Sequence, residues 1–298
     1  MRGELLLGCS GWNYPETPDK GGGWTGVFYP NKDTKRLRYY SQFFNTVEMD
    51  STFYDKFYTK MTKGTFIGIA RTTPEKFQFS VKVPETITHH KRLDIKNSAM
   101  TDFEEFLDKI SPLKNTGKLG AILIQLPPSF SVDNFKNVEL FLDRLPSSGY
   151  EYSVEFRHPS WATEGPWELL RHYNIAAVMT DSPKQENLQF LSDIAITTAD
   201  HSFIRLHGRA KGHYWYNYLY SKEELKPWVK KVEKIREQSK ILRVYFNNHY
   251  GGKAVVNALQ FKEMNGGPLQ ENERKALEQA QSYISNQFFP KRKELDIS

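Results

Sequence analysis

The chain has 298 residues, of which 39% are apolar and 26% are charged, a composition typical of a globular protein in water. No apolar run approaches the roughly 20 residues that cross a bilayer, so we expect no membrane association and a cytoplasmic location. A single cysteine, Cys9, excludes an intrachain disulfide, and the net charge of +6 favours an anionic partner such as a phosphate or a nucleic acid.

Eight short runs along the chain are rich in valine, isoleucine, phenylalanine and tyrosine and have the length of buried strands. They lie at residues 4–10, 46–51, 77–83, 119–126, 150–156, 175–181, 202–208 and 242–248. Apolar residues at helical spacing fill most of the intervals, and they also predict a helix near the end of the chain. The predicted helices span residues 33–44, 100–110, 165–173, 221–235 and about 271–288, ahead of a short basic tail.

Local signals mark the start of two of the helices. Ser221 and Glu224 have the spacing of a capping box, in which each side chain bonds to the other residue's backbone. The pair Gly251 and Gly252 predicts a tight turn into the last helix of the barrel. Between the sixth and seventh runs the sequence offers only a short candidate helix, at residues 188–194.

The alternation of strands and helices predicts an α/β fold, a (β/α)8 TIM barrel that forms a single domain over residues 1–298. A doubly wound open sheet is the alternative. Such a sheet usually carries a glycine-rich phosphate loop after its first strand. The segment GCSGWNY at residues 8–14 lacks the G-x-G-x-x-G spacing of that loop, which favours the barrel.

Polar residues gather at the ends of the predicted strands, where the active site of a (β/α)8 barrel lies. The first strand offers only a serine, and each of the other seven ends in ionisable or hydrogen-bonding side chains. These are Glu48, Asp50, Lys82, Gln125, Glu155, Arg157, His158, Asp181, Arg205, His207, Arg209, Asn247, Asn248 and His249. Two interpretations stay open: a shared polar pocket, or a structural plug of salt bridges such as Glu155 with Arg205.

The residue types suggest a role for each group. Carboxylates and imidazoles transfer protons, so the candidate catalytic residues are Glu155, Glu48 and His207. Arginine forks bind phosphate or carboxylate, and amides orient a substrate by hydrogen bonds. The candidate substrate-binding residues are Arg157, Arg205, Arg209, Asn247, Asn248, Lys82, Trp12, Asp50 and His158.

The cofactor is left open, and a divalent metal is one option, with His207, His249 and Asp181 as its ligands. No H-x-H, H-E-x-x-H or cysteine cluster supports such a site. A Ser-His-Asp triad has less support still, because the G-x-S-x-G motif is absent. The segment GRAKGHYWYNYLYS at residues 208–221 combines basic and aromatic residues and is expected to face a ligand.

Six motifs stand in order between about residue 5 and residue 260: GCSGWNYP, FYP, TVEMDSTFY, SVEFRHPSW, RLHGR and YFNNHYGGKAVVNA. Together they resemble the YecE-like family, also known as domain of unknown function 72. The resemblance implies a TIM-barrel fold and no established reaction. A suggested structural likeness of that family to barrel endonucleases of the endonuclease IV type would suit the basic charge of this chain.

The chain departs from the family pattern at two places. It has Asp50 where the family usually has asparagine, which adds a negative charge at a predicted ligand contact. Its first loop, residues 16–26, is expanded and holds three glycines, as either a mobile flap over the barrel or a tolerated insertion would.

Three functions stay open at this stage. The first is an enzyme, a phosphoester hydrolase or nuclease-like, that acts on a phosphorylated or nucleic-acid-derived substrate. The second is a carbohydrate-active hydrolase that uses paired carboxylates. The third is a non-catalytic nucleic-acid-binding module. The expected partner is a small anionic or phosphorylated ligand, with nucleic acid as the alternative, and the oligomeric state is left open.

Overall fold

The structure, a computed structural model, describes residues 2–183, 194–212 and 214–288. These residues form eight parallel strands, each of which overlaps one of the predicted runs. The strands are β1 Glu4–Cys9, β2 Thr46–Met49, β3 Gln78–Lys82, β4 Leu119–Gln125, β5 Glu151–Glu155, β6 Ala176–Asp181, β7 His201–Leu206 and β8 Ile241–Phe246.

The sheet curls round until its two edge strands meet. Neighbouring strands pair in the order β1-β8-β7-β6-β5-β4-β3-β2, and all the pairs are parallel. Between β1 and β2 a single bridge joins Ser10 to Glu48 within the described residues, and the Gly11 N–H donates to the Glu48 carbonyl at 2.8 Å. The predicted eight-stranded barrel is therefore confirmed, in a nearly closed form.

The hydroxyl of Tyr40 replaces strand pairing at the seam between β1 and β2. It accepts a hydrogen bond from the Cys9 N–H at 2.7 Å and donates one to the Thr46 carbonyl at 3.0 Å. Gly8 allows the two backbones to approach, since a Cβ there would lie 2.2 Å from the Thr46 carbonyl oxygen. One buried phenol thus satisfies two backbone groups that would otherwise lack partners away from water.

The helices of the described residues lie between the strands along the chain and after the last strand. They are α1 Arg36–Tyr40, α2 Asp55–Tyr58, α3 Lys63–Thr72, α4 Ala99–Asn115, α5 Phe135–Leu142, α6 Glu164–His172, α7 Lys222–Gln238, α8 Lys253–Met264 and α9 Glu271–Phe288. In the part of the chain that the structure describes, no helix has the length and apolar character needed to cross a membrane. The candidate helix at 188–194 falls outside the described residues except for Ile194.

One predicted helix is much shorter than expected. The apolar spacing predicted a helix over residues 33–44, but α1 spans only Arg36–Tyr40, and the chain continues in turns after it. In these turns the N–H groups of Phe43 and Phe44 both bond to the Tyr40 carbonyl. The aromatic residues of this segment still pack inward, so the predicted apolar face was right although the helical bounds were wrong.

The local start signals are confirmed. Ser221 Oγ accepts from the Glu224 N–H at 3.2 Å, and the Glu224 carboxylate accepts from the Ser221 N–H at 2.8 Å. Gly251 and Gly252 have φ angles of 63° and 78°, in the left-handed region that favours glycine, and α8 begins at Lys253.

Side chains inside the barrel form layers, as is usual for this fold. The middle layer is mainly apolar and consists of Ala121, Leu123, Phe203, Tyr245 and Val178. Toward the N-terminal ends of the strands, Arg243 lies 2.6 Å from Glu151 and 2.8 Å from Gln78. The layer at the C-terminal ends is also charged, and it contains the candidate site.

Candidate functional site

Alternate residues of each strand face into the barrel, and this period brings polar side chains together at its C-terminal end. Arg205 lies opposite Thr180 and Tyr245 in the neighbouring strands, and Tyr245 belongs to the interior layer below. We call this end of the barrel the mouth. It is formed by Glu48, Asp50, Lys82, Gln125, Glu155, Arg157, Arg205, His207 and Asn247.

Arg205 is the centre of the mouth and is only 2% exposed. Its Nε and Nη2 donate to the two oxygens of Glu48 at 2.8 and 2.7 Å, and its Nη1 donates to Glu155 Oε2 at 2.6 Å. Burial alone would lower the pKa of Arg205, but the two carboxylates raise it above its usual range. The guanidinium is thus a fixed cation that ties β2, β5 and β7 together.

Glu155 is fully buried and accepts hydrogen bonds on both oxygens. Besides the bond from Arg205, its Oε1 accepts from Arg157 Nε at 2.6 Å and from Gln125 Nε2 at 2.9 Å. Burial alone would raise the pKa of Glu155, but Arg205 and Arg157 lower it well below its usual range. We call Glu48, Arg205, Glu155 and Arg157 the ion-pair lattice.

The lattice has the arrangement of the salt-bridge plug that the sequence left open as an alternative. All four carboxylate oxygens of Glu48 and Glu155 already accept hydrogen bonds from protein donors. A general acid or base needs an oxygen within reach of the substrate's proton. The arrangement therefore favours a positioning role for these two candidate catalytic residues.

His207 is fully buried beside the lattice. Its Nδ1 lies 2.9 Å from Asn247 Nδ2, and its Nε2 lies 3.5 Å from Arg205 Nη1 and 3.8 Å from Glu155 Oε1. Burial and the cation of Arg205 lower the pKa of His207 well below its usual range. The ring is therefore neutral at physiological pH.

Lys82, at the end of β3, is the most unusual group of the mouth. Its side chain is 6% exposed, and its Nζ lies 3.5 Å from the centre of the Phe53 ring. With the residues that the structure describes, this nitrogen makes no hydrogen bond or ion pair, and the Phe53 ring is its close contact. Burial, followed by the cations Arg205 and Arg157, lowers the pKa of Lys82 to about 7.

Asp50 is half-buried at the mouth, two residues beyond Glu48 and on the same side of the chain. Burial and the charge of Glu48 raise its pKa, while Lys82 and Arg205 act in the opposite direction. The structure therefore brings the Asp50 carboxylate close to the buried amine.

His89 lies near Lys82 but was not predicted as a site residue. His89 is half-buried, whereas its neighbour His90 is exposed. His89 lies on a single π-helical turn and packs against the edge of Phe53, with 4.9 Å between ring centres. Burial and Lys82 lower the pKa of His89 to about 3. Such π turns are frequent at functional sites, but the sequence carries no signal for one.

Asp181 and Arg209 face away from the interior of the barrel. Asp181 lies opposite Leu206, one residue out of phase with the inward-facing Arg205. Its oxygens accept from Arg209 at 2.7 and 2.6 Å and from Trp228 of α7 at 2.6 Å. The fork of Arg209 is thus occupied by a carboxylate on the outer face of the sheet.

Asn248 is fully buried and connects loops to α8. Its Nδ2 donates to the Tyr218 carbonyl and to Asn257 Oδ1, both at 2.8 Å. Asn257 in turn bonds to both backbone groups of Tyr220. This position favours a structural role for Asn248 rather than the predicted contact with substrate.

His249 is the middle ring of a stack outside the mouth. Tyr14 and Tyr216 lie on its two faces, with ring centres 4.8 and 4.7 Å away and nearly parallel planes. Burial lowers the pKa of His249 to about 4. The carbonyl of His249 accepts from Trp24 Nε1 at 2.6 Å, so the first loop, at residues 16–26, is anchored here. Segment 208–221 packs against the same stack, and Tyr214 within it is 63% exposed.

The remaining predicted contacts lie at the edge of the mouth. His158 caps a short 3-10 helix, because its Nδ1 accepts from the Ser160 N–H at 3.2 Å. Trp12 is half-buried after β1 and packs edge-on against Phe79, with 6.2 Å between ring centres. Both residues support the edge of the barrel by local contacts.

The structure does not assemble the predicted metal ligands. His207 lies inside the barrel, Asp181 bonds to Arg209 and Trp228, and His249 is held between tyrosine rings. Within the described residues, no group of three or more histidine, cysteine, aspartate or glutamate side chains is placed to hold a metal ion.

A cavity of about 660 Å³ lies at the opposite end of the barrel, lined by residues that include Leu5, Asn45 and Phe77. These residues lie at or before the N-terminal ends of β1, β2 and β3. That end of a TIM barrel usually serves stability rather than chemistry. The charged mouth therefore remains the candidate site.

Comparison with known proteins gives matches over nearly the whole chain. A family model described as "Protein of unknown function DUF72" matches residues 6–281. The UPF0759 protein YunF of Bacillus subtilis (strain 168) is 27% identical over 279 residues, which are 87% of this chain and 94% of YunF. The UPF0759 protein YecE of Escherichia coli (strain K12) is 32% identical over 164 residues, 55% of this chain and 52% of YecE.

Solved structures of two DUF72 family proteins have the same fold. The protein from Thermotoga maritima MSB8 is 35% identical to this chain, with a TM-score of 0.72 over 88% of this chain and 98% of that one. The protein from Enterococcus faecalis V583 is 22% identical, with a TM-score of 0.68 over 89% of this chain and 98% of that one. The second likeness shows the fold alone.

Proposed function

Because the chain belongs to the DUF72 family, as its motifs predicted, and this family is described as having no known function, we propose a function from the mouth of the barrel. We propose that the protein is an enzyme acting on a small phosphorylated molecule. In this proposal Lys82 gives and takes the proton, and the ion-pair lattice holds the reacting groups in place.

The observation that carries the proposal is the environment of Lys82. A buried lysine normally places its three N–H donors on acceptors, because an uncompensated ammonium is expensive away from water. The Lys82 nitrogen instead faces the Phe53 ring, and its pKa of about 7 suits proton transfer at neutral pH. Strongly perturbed ionisable groups in a barrel mouth are the usual mark of a functional site.

The charges around Lys82 support an anionic substrate. Arg205 and Arg157 both lower the pKa of Lys82, so their repulsion of its ammonium group is not fully offset by the attraction of the glutamates. A phosphate bound beside the amine would offset that repulsion. The side chain of Arg157 is 15% exposed, and it would provide part of the contact with such a group.

The lattice supplies rigidity rather than proton transfer. Each member is held by at least one charge-assisted hydrogen bond shorter than 3 Å, and the members come from β2, β7, β5 and the segment that directly follows β5. Side chains fixed in this way keep their positions when a substrate enters, which is how preorganised sites lower a barrier. Asp50, at the exposed side of the lattice, contacts the substrate in this proposal.

A carbohydrate-active hydrolase has less support. Its mechanism needs two carboxyl groups that reach the glycosidic bond from either side. Glu48 and Glu155 give all their oxygens to Arg205, Arg157 and Gln125. A nucleic-acid-binding module has less support as well, because Arg209 and Arg205 are already occupied by carboxylates.

Binding and turnover can be tested together with a panel of sugar phosphates and nucleoside monophosphates. Each compound is screened by the shift in melting temperature, and those that bind are followed by ³¹P NMR during incubation with the protein. We expect at least one to bind and to be converted. The Lys82→Met variant should convert it at least about 100-fold more slowly, because this is the usual contribution of a general acid or base.

The matched control is Lys56→Met, which removes an exposed lysine near the mouth without touching the lattice. This variant should bind and convert the same compound within about twofold of the original protein. The proposal fails if no compound of the panel binds, or if Lys82→Met is as active as Lys56→Met.

A further inference from the structure

We propose that Lys82 is a covalent attachment point: its amine forms a Schiff base with a small anionic aldehyde or ketone that enters the mouth. This inference rests on the proposed function and names the class of substrate. It is independent of which reaction follows the attachment.

The first support is the contrast between Lys82 and another buried lysine. Lys118 is 7% exposed, and its Nζ donates to the Ala70 carbonyl at 2.6 Å and to the Thr73 carbonyl at 2.7 Å. A third contact, to the Thr73 hydroxyl, is 3.2 Å long. Lys118 thus has the acceptors that a permanent ammonium needs, and the surroundings of Lys82 offer an aromatic face instead.

The magnitudes favour an uncharged nitrogen at position 82. An aromatic face stabilises a desolvated ammonium only modestly. Each hydrogen bond to a charged group contributes at least as much as such a ring contact, so three of them outweigh the ring. A neutral amine or an imine is destabilised much less than an ammonium when it has no hydrogen-bond acceptors. The position therefore suits a nitrogen that spends part of its time uncharged, as a nucleophile must.

The second support is the set of charges that face the amine from the elements around it. Most of the negative charge is already bound to Arg205 and Arg157, so the cations dominate at Lys82. The facing groups are Glu48 and Asp50 at β2, His89 after β3, Glu155 and Arg157 at β5, and Arg205 and His207 at β7. Neighbouring cations and an apolar wall are the known means of activating a lysine for attack on a carbonyl.

Formation of the Schiff base needs only the Lys82 amine, the carbonyl compound and a group that carries protons. The lone pair of Nζ adds to the carbonyl carbon, and one proton passes from the nitrogen to the former carbonyl oxygen to give a neutral carbinolamine. The nitrogen then loses its remaining proton as the hydroxyl leaves as water, which forms the C=N bond. No oxidant or reductant is consumed. The half-buried carboxyl group of Asp50, whose pKa is raised, lies near the amine and is suited to carry the proton.

The test is reductive trapping at pH 7 with sodium cyanoborohydride. The probes are dihydroxyacetone phosphate and its uncharged counterpart, dihydroxyacetone. Reduction of the imine leaves a secondary amine, so the protein gains the mass of the probe less one oxygen atom. Intact mass spectrometry measures the gain, and peptide mapping locates it.

We expect Lys82 to be labelled first, at least tenfold faster than Lys118 or the surface lysines, and faster by the phosphorylated probe than by the uncharged one. The adduct should be absent at this position in Lys82→Met and unchanged in Lys56→Met. Labelling spread evenly over the lysines, or Lys82 left unlabelled while other amines react, would overturn the inference. If Lys82 is not trapped but the phosphorylated compounds still bind and turn over in a Lys82-dependent way, the Schiff base fails and the proposed function stands.

Discussion

The buried amine of Lys82 makes the stability of the protein depend on pH. Its pKa falls from 10.5 in the unfolded chain to about 7 in the folded protein, so folding disfavours the charged form. The destabilisation is therefore fully present below pH 7. It is relieved as the pH rises from about 7 to 10.5, where the unfolded chain also loses the proton.

Replacing this lysine with an apolar residue of similar length should stabilise the protein. We expect Lys82→Met to raise the melting temperature at pH 7 by roughly 5 °C, and the gain should shrink as the pH approaches 10. The measurement is the difference in melting temperature between variant and original at each pH. Lys56→Met should show no such trend, and a constant or growing gain would contradict the proposed environment of Lys82.

The sequence predicts which polar residues lie near strand ends, but it does not always predict whether their side chains face into or out of the barrel. Asp181 was grouped with the site because it ends a strand, yet it lies one residue out of phase with Arg205 and faces α7. A shift of one residue along a strand changes the face, and the pairing register that decides it is not visible in the sequence. His89 illustrates the opposite case, since only the π turn brings it to Lys82.

The seam between β1 and β2 gives Tyr40 a role that no helical pattern could reveal. Its hydroxyl satisfies the Cys9 N–H and the Thr46 carbonyl, two backbone groups that lie inside the protein. A buried backbone group that loses its partner costs about 1–3 kcal/mol. The phenol therefore contributes to closure of the barrel as well as to the aromatic packing around it.

We expect Tyr40→Phe to lower the free energy of unfolding by about 2 kcal/mol while it leaves the packing intact. Hydrogen exchange should also become faster at the Cys9 amide, which measures the opening of the seam directly. Tyr39→Phe is the control, because the neighbouring ring is half-buried and the seam does not depend on its hydroxyl. Equal stability of the Tyr40 and Tyr39 variants would show that the hydrogen bonds do not matter.

At the level of elements, the strands could be predicted more accurately than the helices. A strand that is buried on both faces is a short continuous apolar run, and each of the eight runs overlaps one strand. The helix predicted at 33–44 shows how helical spacing can mislead. Aromatic residues in the turns after Tyr40 pack inward just as they would from a helix. The capping box at Ser221 could be predicted because both of its partners are local.

Across the whole molecule, Arg205 joins strands that are far apart in sequence and on different sides of the barrel. Removing it would leave Glu48 and Glu155 buried without their main partner, and breaking a buried ion pair in this way costs about 3–5 kcal/mol. The lattice therefore has a structural role in addition to any role in binding. This is the part of the plug interpretation that the geometry supports.

We expect Arg205→Met to lower the melting temperature at pH 7 by roughly 10 °C. This difference should become smaller as the pH falls toward 4.5, for two reasons. In the variant, the carboxylates that have lost Arg205 take up protons. In the original protein, the stabilisation that comes from the lowered pKa of Glu155 begins to be lost. Adding Glu48→Gln and Glu155→Gln to the variant should restore part of the stability. A deficit that does not change with pH would show that the loss comes from packing alone.

The pairing of β1 sets an order for folding during synthesis. Along its full length β1 pairs with β8, from Glu4 opposite Ile241 to Cys9 opposite Phe246, whereas β2 meets it at the short seam. Of the eight barrel strands, β1 is made first, and it obtains its main partner only after β8 has been made. Until then β1 is an unpaired edge, which raises the risk of association with other chains above that of a protein whose strands pair with close neighbours in sequence.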